Sequence, residues 1–236
     1  LTFFAIPAWL AMNDVSPLVI GSYLAMAGLP WSFKLVLAPL MDRFTIKSMG
    51  RKRPWVILGQ IGLVASFITL SFMPDPLSNT GILMAMGFTI SFFGCFQDVA
   101  TDGMAVDIIP LDEQARANGL MWGAKSIGIS VSLAAGTYMI NQFGFSTGVL
   151  VPAIFTSLLI LVPILFVERK GEKRLPWSRG KASLETRLLQ PANFKAILRD
   201  TYLASTKYSS LVLLAFSLLS GIGLGFGQTL MHVFTI

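Results

Sequence analysis

Two carboxylates in apolar surroundings are the residues of this sequence with the clearest chemical potential. Asp98 and Asp102 follow a mostly apolar run, residues 81 to 96, that contains no charged residue. A charged side chain at the centre of a membrane helix costs about 2.5 to 3.5 kcal/mol on insertion scales, so such a residue is expected to face a cavity or a partner charge. Because the two residues are four apart, a helix places them on one face.

Lys34 and Lys125 are the expected counter-charges of this pair. They are the two basic residues that lie within apolar runs rather than in the basic clusters between them or at their ends. Together with Gln97 they complete a candidate site, in which the carboxylates take up and release a proton or face a substrate in a central cavity. The alternative is a static ion pair of a carboxylate with Lys125 or Lys34 that fixes helix packing. The sequence leaves both interpretations open.

A second group of charged residues lies at the ends of the apolar runs 17 to 41 and 81 to 109 and on the link that follows residue 41. Its members are Asp42, Arg43, Gly50, Arg51, Lys52, Arg53 and Asp107. The carboxylates at the two helix ends can receive basic residues of the link, which would act as a gating latch that ties the ends together in one of two conformations. The alternative is that these charges are solvated and only set orientation, since exposed ion pairs contribute about 0 to 1 kcal/mol.

The composition is that of an integral membrane protein. Hydrophobic residues make up 54% of the 236 residues and charged residues only 13%, whereas soluble domains contain about 25% charged residues. The net charge of +6 comes from basic clusters between apolar runs, so it indicates membrane orientation rather than nucleic-acid binding. One cysteine and one histidine exclude an intrachain disulfide and a multi-cysteine metal site. We expect no metal, no cofactor and no enzyme activity.

Apolar runs predict seven membrane spans, since about 20 apolar residues suffice to cross a bilayer. The predicted spans 1 to 7 cover residues 1 to 12, 17 to 41, 55 to 73, 81 to 109, 117 to 140, 146 to 167 and 208 to 233. Span 1 is too short to cross, and the chain stops within span 7, so we expect a fragment of a longer protein. Residues 168 to 207 form a long basic link in which helical spacing of apolar residues predicts a short helix on the membrane surface.

Basic residues predict the orientation of these spans. Of the 18 Lys and Arg residues, 16 lie between spans 2 and 3, between spans 6 and 7, or at the start of span 5. The links on the opposite side contain none. By the positive-inside rule, residues 43 to 54 and 168 to 207 are cytoplasmic.

Motifs around the link after span 2 resemble those of the major facilitator superfamily. They are Ala38-Pro39-Leu40-Met41-Asp42-Arg43 and Gly50-Arg51-Lys52-Arg53, where the family signature is Gly, three residues, Asp-Arg, one residue and Gly-Arg-Arg/Lys. Ala38 stands where Gly is usual, and six residues replace one between Arg43 and Gly50. These departures resemble the AmpG-like branch of muropeptide permeases and acetyl-CoA transporters, as do Gly28-Leu29-Pro30-Trp31-Ser32-Phe33-Lys34 and Gln97-Asp98-Val99-Ala100-Thr101-Asp102-Gly103.

The resemblance implies an all-α integral membrane fold: the six-helix N-terminal half of a major facilitator-type bundle plus the start of the second half. The expected domains are an N-terminal bundle (1 to 167), a cytoplasmic linker with the surface helix (168 to 207) and span 7 (208 to 236). The resemblance also implies proton-coupled secondary transport by alternating access in an inner membrane, by a protein that is a monomer when full length. The partners implied are the lipid bilayer, protons and a small solute such as an anhydromuropeptide, with acetyl-CoA or another anionic metabolite as the alternative.

A non-transporting receptor or an intramembrane enzyme is the alternative from a different class. An aspartyl intramembrane protease needs its two carboxylates on separate, facing helices. Asp98 and Asp102 both lie on span 4, and this favours transport.

Overall fold

Helices build the chain, as the apolar runs predict. A computed structural model describes residues 1 to 184, 186 and 193 to 234, and this part of the chain contains no β-strand. Span 1 is Ala5–Met12, span 2 is Pro17–Gly28 with Leu29–Phe33 and Lys34–Arg43, span 3 is Arg53–Ser71, span 4 is Thr80–Ile108, span 5 is Gln114–Phe143, span 6 is Phe145–Leu159 with Leu161–Leu165, and span 7 is Tyr208–Phe234. One further helix, Phe194–Ser205, precedes span 7, whereas residues 185 and 187 to 192 of the predicted linker lie outside the described residues. The all-α fold class is confirmed.

Several of these helices have the length and apolar content of membrane spans. Spans 3 and 4 and the 21 residues of span 6, Phe145–Leu165, each suffice to cross a bilayer. Two bent pairs of helices add two more candidates if each pair is counted as one span. One pair is span 2, and the other consists of Arg199–Ser205 and Tyr208–Gly223, with a bend of 76° between them. Among the described residues, span 5 falls outside this set although its helix has 30 residues. Its sequence mixes serine, glycine and Lys125 with apolar residues, which fits a helix that lines a polar cavity.

Span 2 is broken rather than continuous, which the apolar run did not predict. A short 3₁₀ segment, Leu29–Phe33, separates its two helices, and the axis bends by 47°. Pro30 lies in this segment and has no N–H for the helical ladder. Phe33, with φ −89° and ψ 4°, departs from helical geometry just before the bend. The Sγ of Cys95 donates to the Pro30 carbonyl at 3.5 Å and so seats the break against span 4. A new helix then begins at Lys34.

Two buried clusters hold the spans together. The larger cluster joins spans 1, 2, 3, 4 and 6 through fully buried residues such as Tyr23, Leu70 and Val149. The smaller cluster joins spans 2, 3 and 4 near the basic link, around Met41 and Cys95. Span 3 packs on spans 4 and 6, span 2 packs on span 4, and span 5 packs on spans 6 and 1. Spans 4 and 5 touch along little of their length, so a gap separates them.

Candidate functional site

Asp98 is the centre of a charge cluster that reaches across the gap between spans 4 and 5. One of its oxygens lies 2.5 Å from the Nζ of Lys34 on span 2, and the other lies 2.6 Å from the Nζ of Lys125 on span 5. Lys125 also lies 3.4 Å from Asp102, one turn further along span 4. We call these four residues the Asp98 cluster. Its two carboxylates and two ammonium groups balance to a formal charge of zero.

The two carboxylates of the Asp98 cluster differ in their surroundings. The side chain of Asp98 is 14% exposed and contacts both lysines, whereas that of Asp102 is 47% exposed and, among the described basic residues, forms an ion pair with Lys125 only. A carboxylate shielded from water needs paired charges, because burying an isolated charge is far more costly than burying a matched one. The spacing of the two residues did not predict this difference, since it only places them on one face.

Each lysine of the Asp98 cluster also contacts an indole ring. The Nζ of Lys34 lies 4.9 Å from the ring centre of Trp31, and the Nζ of Lys125 lies 5.2 Å from that of Trp122. A cation over an aromatic face gains about 0.5 to 2 kcal/mol, depending on how far it is removed from water. Each ammonium group is therefore held by contacts to at least one carboxylate and to a tryptophan.

Two cavities adjoin the Asp98 cluster. The first, of about 460 Å³, is lined by Asp98, both lysines and both tryptophans, together with residues just before span 1 and residues of span 5. The second, of about 430 Å³, is lined by Asp102 and by the facing ends of spans 4 and 5. Both volumes lie in the range of small-molecule sites. The contact from Lys125 to both carboxylates thus stands between the two cavities.

Gln97 lies on the side of span 4 that packs on span 3. Successive residues of a helix are rotated by about 100°, so neighbours on span 4 face different partners. A Cβ added to Gly59 of span 3 would lie 2.9 Å from the Cβ of Gln97. The structure therefore places Gln97 in the close contact between spans 3 and 4 and does not bring it together with the other predicted site residues.

A second ion-pair cluster ties the ends of spans 2 and 4 to the link between spans 2 and 3. Arg51 lies 2.8 Å from Asp42 at the end of span 2 and 3.1 Å from Asp107 at the end of span 4. The Nζ of Lys52 lies 2.6 Å from the same oxygen of Asp42. Gly103 makes room for the Lys52 side chain, since a Cβ there would lie 3.0 Å from its Cε. We call Asp42, Arg51, Lys52 and Asp107 the Arg51 cluster.

The other residues predicted for this group lie elsewhere. Arg43 is exposed and forms no ion pair with any described residue. Arg53 is buried and donates to the backbone carbonyls of Lys173 and Arg174, at 2.7 Å for the latter. Gly50 has a φ of +104°, which favours glycine, and it forms the turn from which Arg51 reaches the helix ends.

Glu168 and Glu172 are buried acidic residues that the sequence analysis missed. The side chain of Glu168 is 0% exposed, and its Oε2 accepts the backbone N–H groups of Lys52 and Arg53 at 3.0 and 3.2 Å. These donors stand at the start of span 3, where N–H groups lack helical partners and the helix dipole favours an anion. The sequence feature that could have revealed them is the presence of two acidic residues, four apart, among the basic residues that follow span 6. Residues 168 to 174 are therefore packed against the link between spans 2 and 3.

A bundle of membrane-length helices with a charge cluster between two cavities is typical of membrane transporters. The chain belongs to the Major Facilitator Superfamily, whose family model matches residues 1–236. This family consists of transporters and not of enzymes, which removes the intramembrane-enzyme alternative.

Individual relatives point to the AmpG-like branch at low identity. The anhydromuropeptide permease of Escherichia coli is 25% identical over 170 residues, 69% of this chain and 34% of the relative. A Rickettsia felis protein named as transporter AmpG 1 is 27% identical over 163 residues, 67% of this chain and 36% of the relative. An uncharacterized protein of Haemophilus influenzae is 31% identical over 136 residues, 55% of this chain and 32% of the relative. The chain spans about a third of the length of these relatives, and no solved structure matches it.

Replacing Glu168 with Gln is expected to destabilise the full-length protein by about 1 to 3 kcal/mol, because a neutral amide is a weaker acceptor for two backbone N–H groups than a carboxylate. Thermal unfolding in detergent measures this loss as a lower Tm. Asp200→Asn is the matched control, since its ion pair with Arg199 is largely exposed and contributes little. An equal Tm for Glu168→Gln and the control would contradict the anchoring role of Glu168.

Proposed function

We propose that this chain is part of a secondary transporter that carries an anionic solute across an inner membrane by alternating access, coupled to protons. The observation that carries the proposal is the Asp98 carboxylate, which holds a lysine from each of two other spans beside two cavities. The full-length protein acts as a monomer in this proposal. Residues 43 to 54 and 168 to 207 lie at its cytoplasmic face, because they carry 15 of the 18 basic residues.

Protonation of Asp98 is the coupling step. An ionised Asp98 pairs with Lys34 and Lys125 and, together with Asp102, balances their two charges. A protonated Asp98 leaves one positive charge of the cluster without a counter-charge, which is costly within a membrane bundle. Lys125 then exchanges its ion pair with Asp98 for one with Asp102, which it already contacts at 3.4 Å. Lys34 becomes the partner of an anionic group of the solute. Proton and solute therefore bind together and leave together.

Two features support this role over a purely structural ion pair. The contact from Asp98 to Lys125 bridges a gap, since spans 4 and 5 touch along little of their length. The side chains of Lys34 and Lys125 are 39% and 35% exposed, so a solute in the first cavity can reach them. A pair that only fixed packing would be expected within a closed helix interface.

The residues that line the first cavity suit a solute that combines sugar rings with carboxylates. Trp31 and Trp122 offer ring faces on which a sugar can stack, and Lys34 and Lys125 offer cations for peptide carboxylates. An anhydromuropeptide has both groups. The permease of Escherichia coli that resembles this chain is named for that solute, and this supports the same class of solute here.

The Arg51 cluster serves as a cytoplasmic latch in this account. Arg51 joins the ends of spans 2 and 4, and the same two spans carry Lys34 and Asp98. Ion pairs that form in one access state and break in the other bias the equilibrium between the two.

Asp98→Asn in the full-length protein is expected to abolish accumulation of anhydromuropeptide against a gradient, because an amide keeps the shape of the carboxylate but cannot exchange a proton. Asp102→Asn is expected to lose accumulation as well, since Lys125 loses its second partner. Uptake into membrane vesicles with an imposed proton gradient measures accumulation, and solute counterflow without a gradient measures exchange. At least one variant should remain folded and still exchange solute. Asp112→Asn, an exposed carboxylate, is the control with normal accumulation.

Two outcomes would contradict the coupling role. Normal accumulation in both Asp98→Asn and Asp102→Asn would mean that these residues carry no proton. Loss of folded protein in both, with recovery by Lys125→Met, would identify a static ion pair, because each Asn variant leaves Lys125 with one carboxylate fewer to balance it.

Arg51→Ala is expected to slow solute uptake while leaving the amount of protein in the membrane unchanged, because it removes the residue that joins spans 2 and 4. Initial uptake rates and membrane protein levels test this together. Lys170→Ala, an exposed change on the same face, is the control. A wild-type rate in Arg51→Ala would leave the Arg51 cluster with only an orienting role.

A further inference from the structure

An apolar groove of about 650 Å³ lies between the link after span 2 and the segment after span 6. One wall is formed by Phe44 and Met49 of the link after span 2, and the opposite wall by Trp177. The floor is formed by Trp55, Leu58 and Ile61 of span 3. The Asp98 cluster and the Arg51 cluster contribute no residue to its described lining. The groove is therefore separate from the proposed transport site.

The floor of the groove runs along a membrane span. Leu58 and Ile61 belong to the helix Arg53–Ser71, and their side chains are 48% and 52% exposed. From Trp55 to Ile61 the helix rises by about 9 Å. Exposed apolar residues at this depth of a span face hydrocarbon chains rather than water. The inner end of the groove thus offers an apolar surface that runs along the span, as the acyl chain of a lipid does.

The mouth of the groove is basic. Residues 43 to 49 and 173 to 181, which include both outer walls, contain no acidic residue. They contain six basic residues, Arg43, Lys47, Lys173, Arg174, Arg179 and Lys181. Arg43 lines the groove, is exposed and forms no ion pair with the described part of the chain. Trp177 is exposed beside it, as is typical of indoles at the level of lipid headgroups.

We propose that this groove binds one anionic phospholipid. Its acyl chain lies on Leu58 and Ile61, and its phosphate lies at the mouth, near Arg43 and Arg174. Basic pockets beside membrane helices on the cytoplasmic side bind anionic headgroups in this way. Hydrogen bonds from Arg53 to the backbone of residues 173 and 174 hold the outer wall in place. The lipid therefore joins the link after span 2 to the segment after span 6.

Native mass spectrometry of the full-length protein tests this site with phosphatidylglycerol and phosphatidylcholine that carry the same chains. One phosphatidylglycerol is expected to bind at least tenfold more tightly than phosphatidylcholine. A basic residue near a membrane surface strengthens binding of an anionic lipid by roughly fivefold, so Arg43→Gln with Arg174→Gln should weaken binding of phosphatidylglycerol by about twenty-fivefold. Lys170→Gln with Arg199→Gln removes the same charge outside the groove and should change the affinity little.

A second variant separates the acyl-chain contact from the charge. Ile61→Trp fills the floor of the groove and keeps every cation, and it should also lose the bound phosphatidylglycerol while its Tm stays within a few degrees of wild type. Four results would overturn the proposal: no lipid bound to the wild type, equal binding of the two lipids, an equal loss in the control pair, or full competition by glycerol phosphate at matched concentration. The last result would mean that the phosphate alone is recognised.

Discussion

The arrangement of this protein depends on placing one carboxylate, Asp98, inside a bundle of apolar helices. An ionised carboxylate in such a place must be balanced by cations that are themselves positioned. Span 2 breaks after Phe33, and its second helix begins at Lys34 beside Asp98. The more polar span 5 places Lys125 on the other oxygen of Asp98, across the gap between spans 4 and 5. The break in span 2 and the polar residues of span 5 thus both help to place a lysine beside Asp98. A change in the charge of Asp98 therefore acts on two other spans at once.

Two ion-pair clusters connect the same pair of helices at different depths. Spans 2 and 4 are joined by Lys34 with Asp98 inside the bundle and by Arg51 with Asp42 and Asp107 at the basic link. A movement of one span against the other must change both clusters. In the proposed transport cycle, release of Lys34 from Asp98 and opening of the Arg51 cluster are thus parts of one rearrangement.

Sequence reasoning was most accurate where local chemistry decides the structure. Spans 3 and 4, predicted at 55 to 73 and 81 to 109, begin and end within two residues of the observed helices because apolar length and helix ends are local properties. Asp98 and Asp102 could be paired with Lys34 and Lys125 because few charges lie within the spans. The unequal burial of the two carboxylates and the buried position of Glu168 could not be predicted, since both depend on contacts between residues far apart in the chain.

Difference infrared spectroscopy of the full-length protein in lipid, with and without solute, tests most directly whether Asp98 carries the proton. A protonated carboxyl group has a C=O stretch that a carboxylate lacks. The account predicts that this band appears when solute binds, is retained in the exposed-carboxylate control Asp112→Asn and is absent in Asp98→Asn. A spectrum in which no carboxyl band depends on Asp98 would show that this residue stays ionised, and would contradict the account.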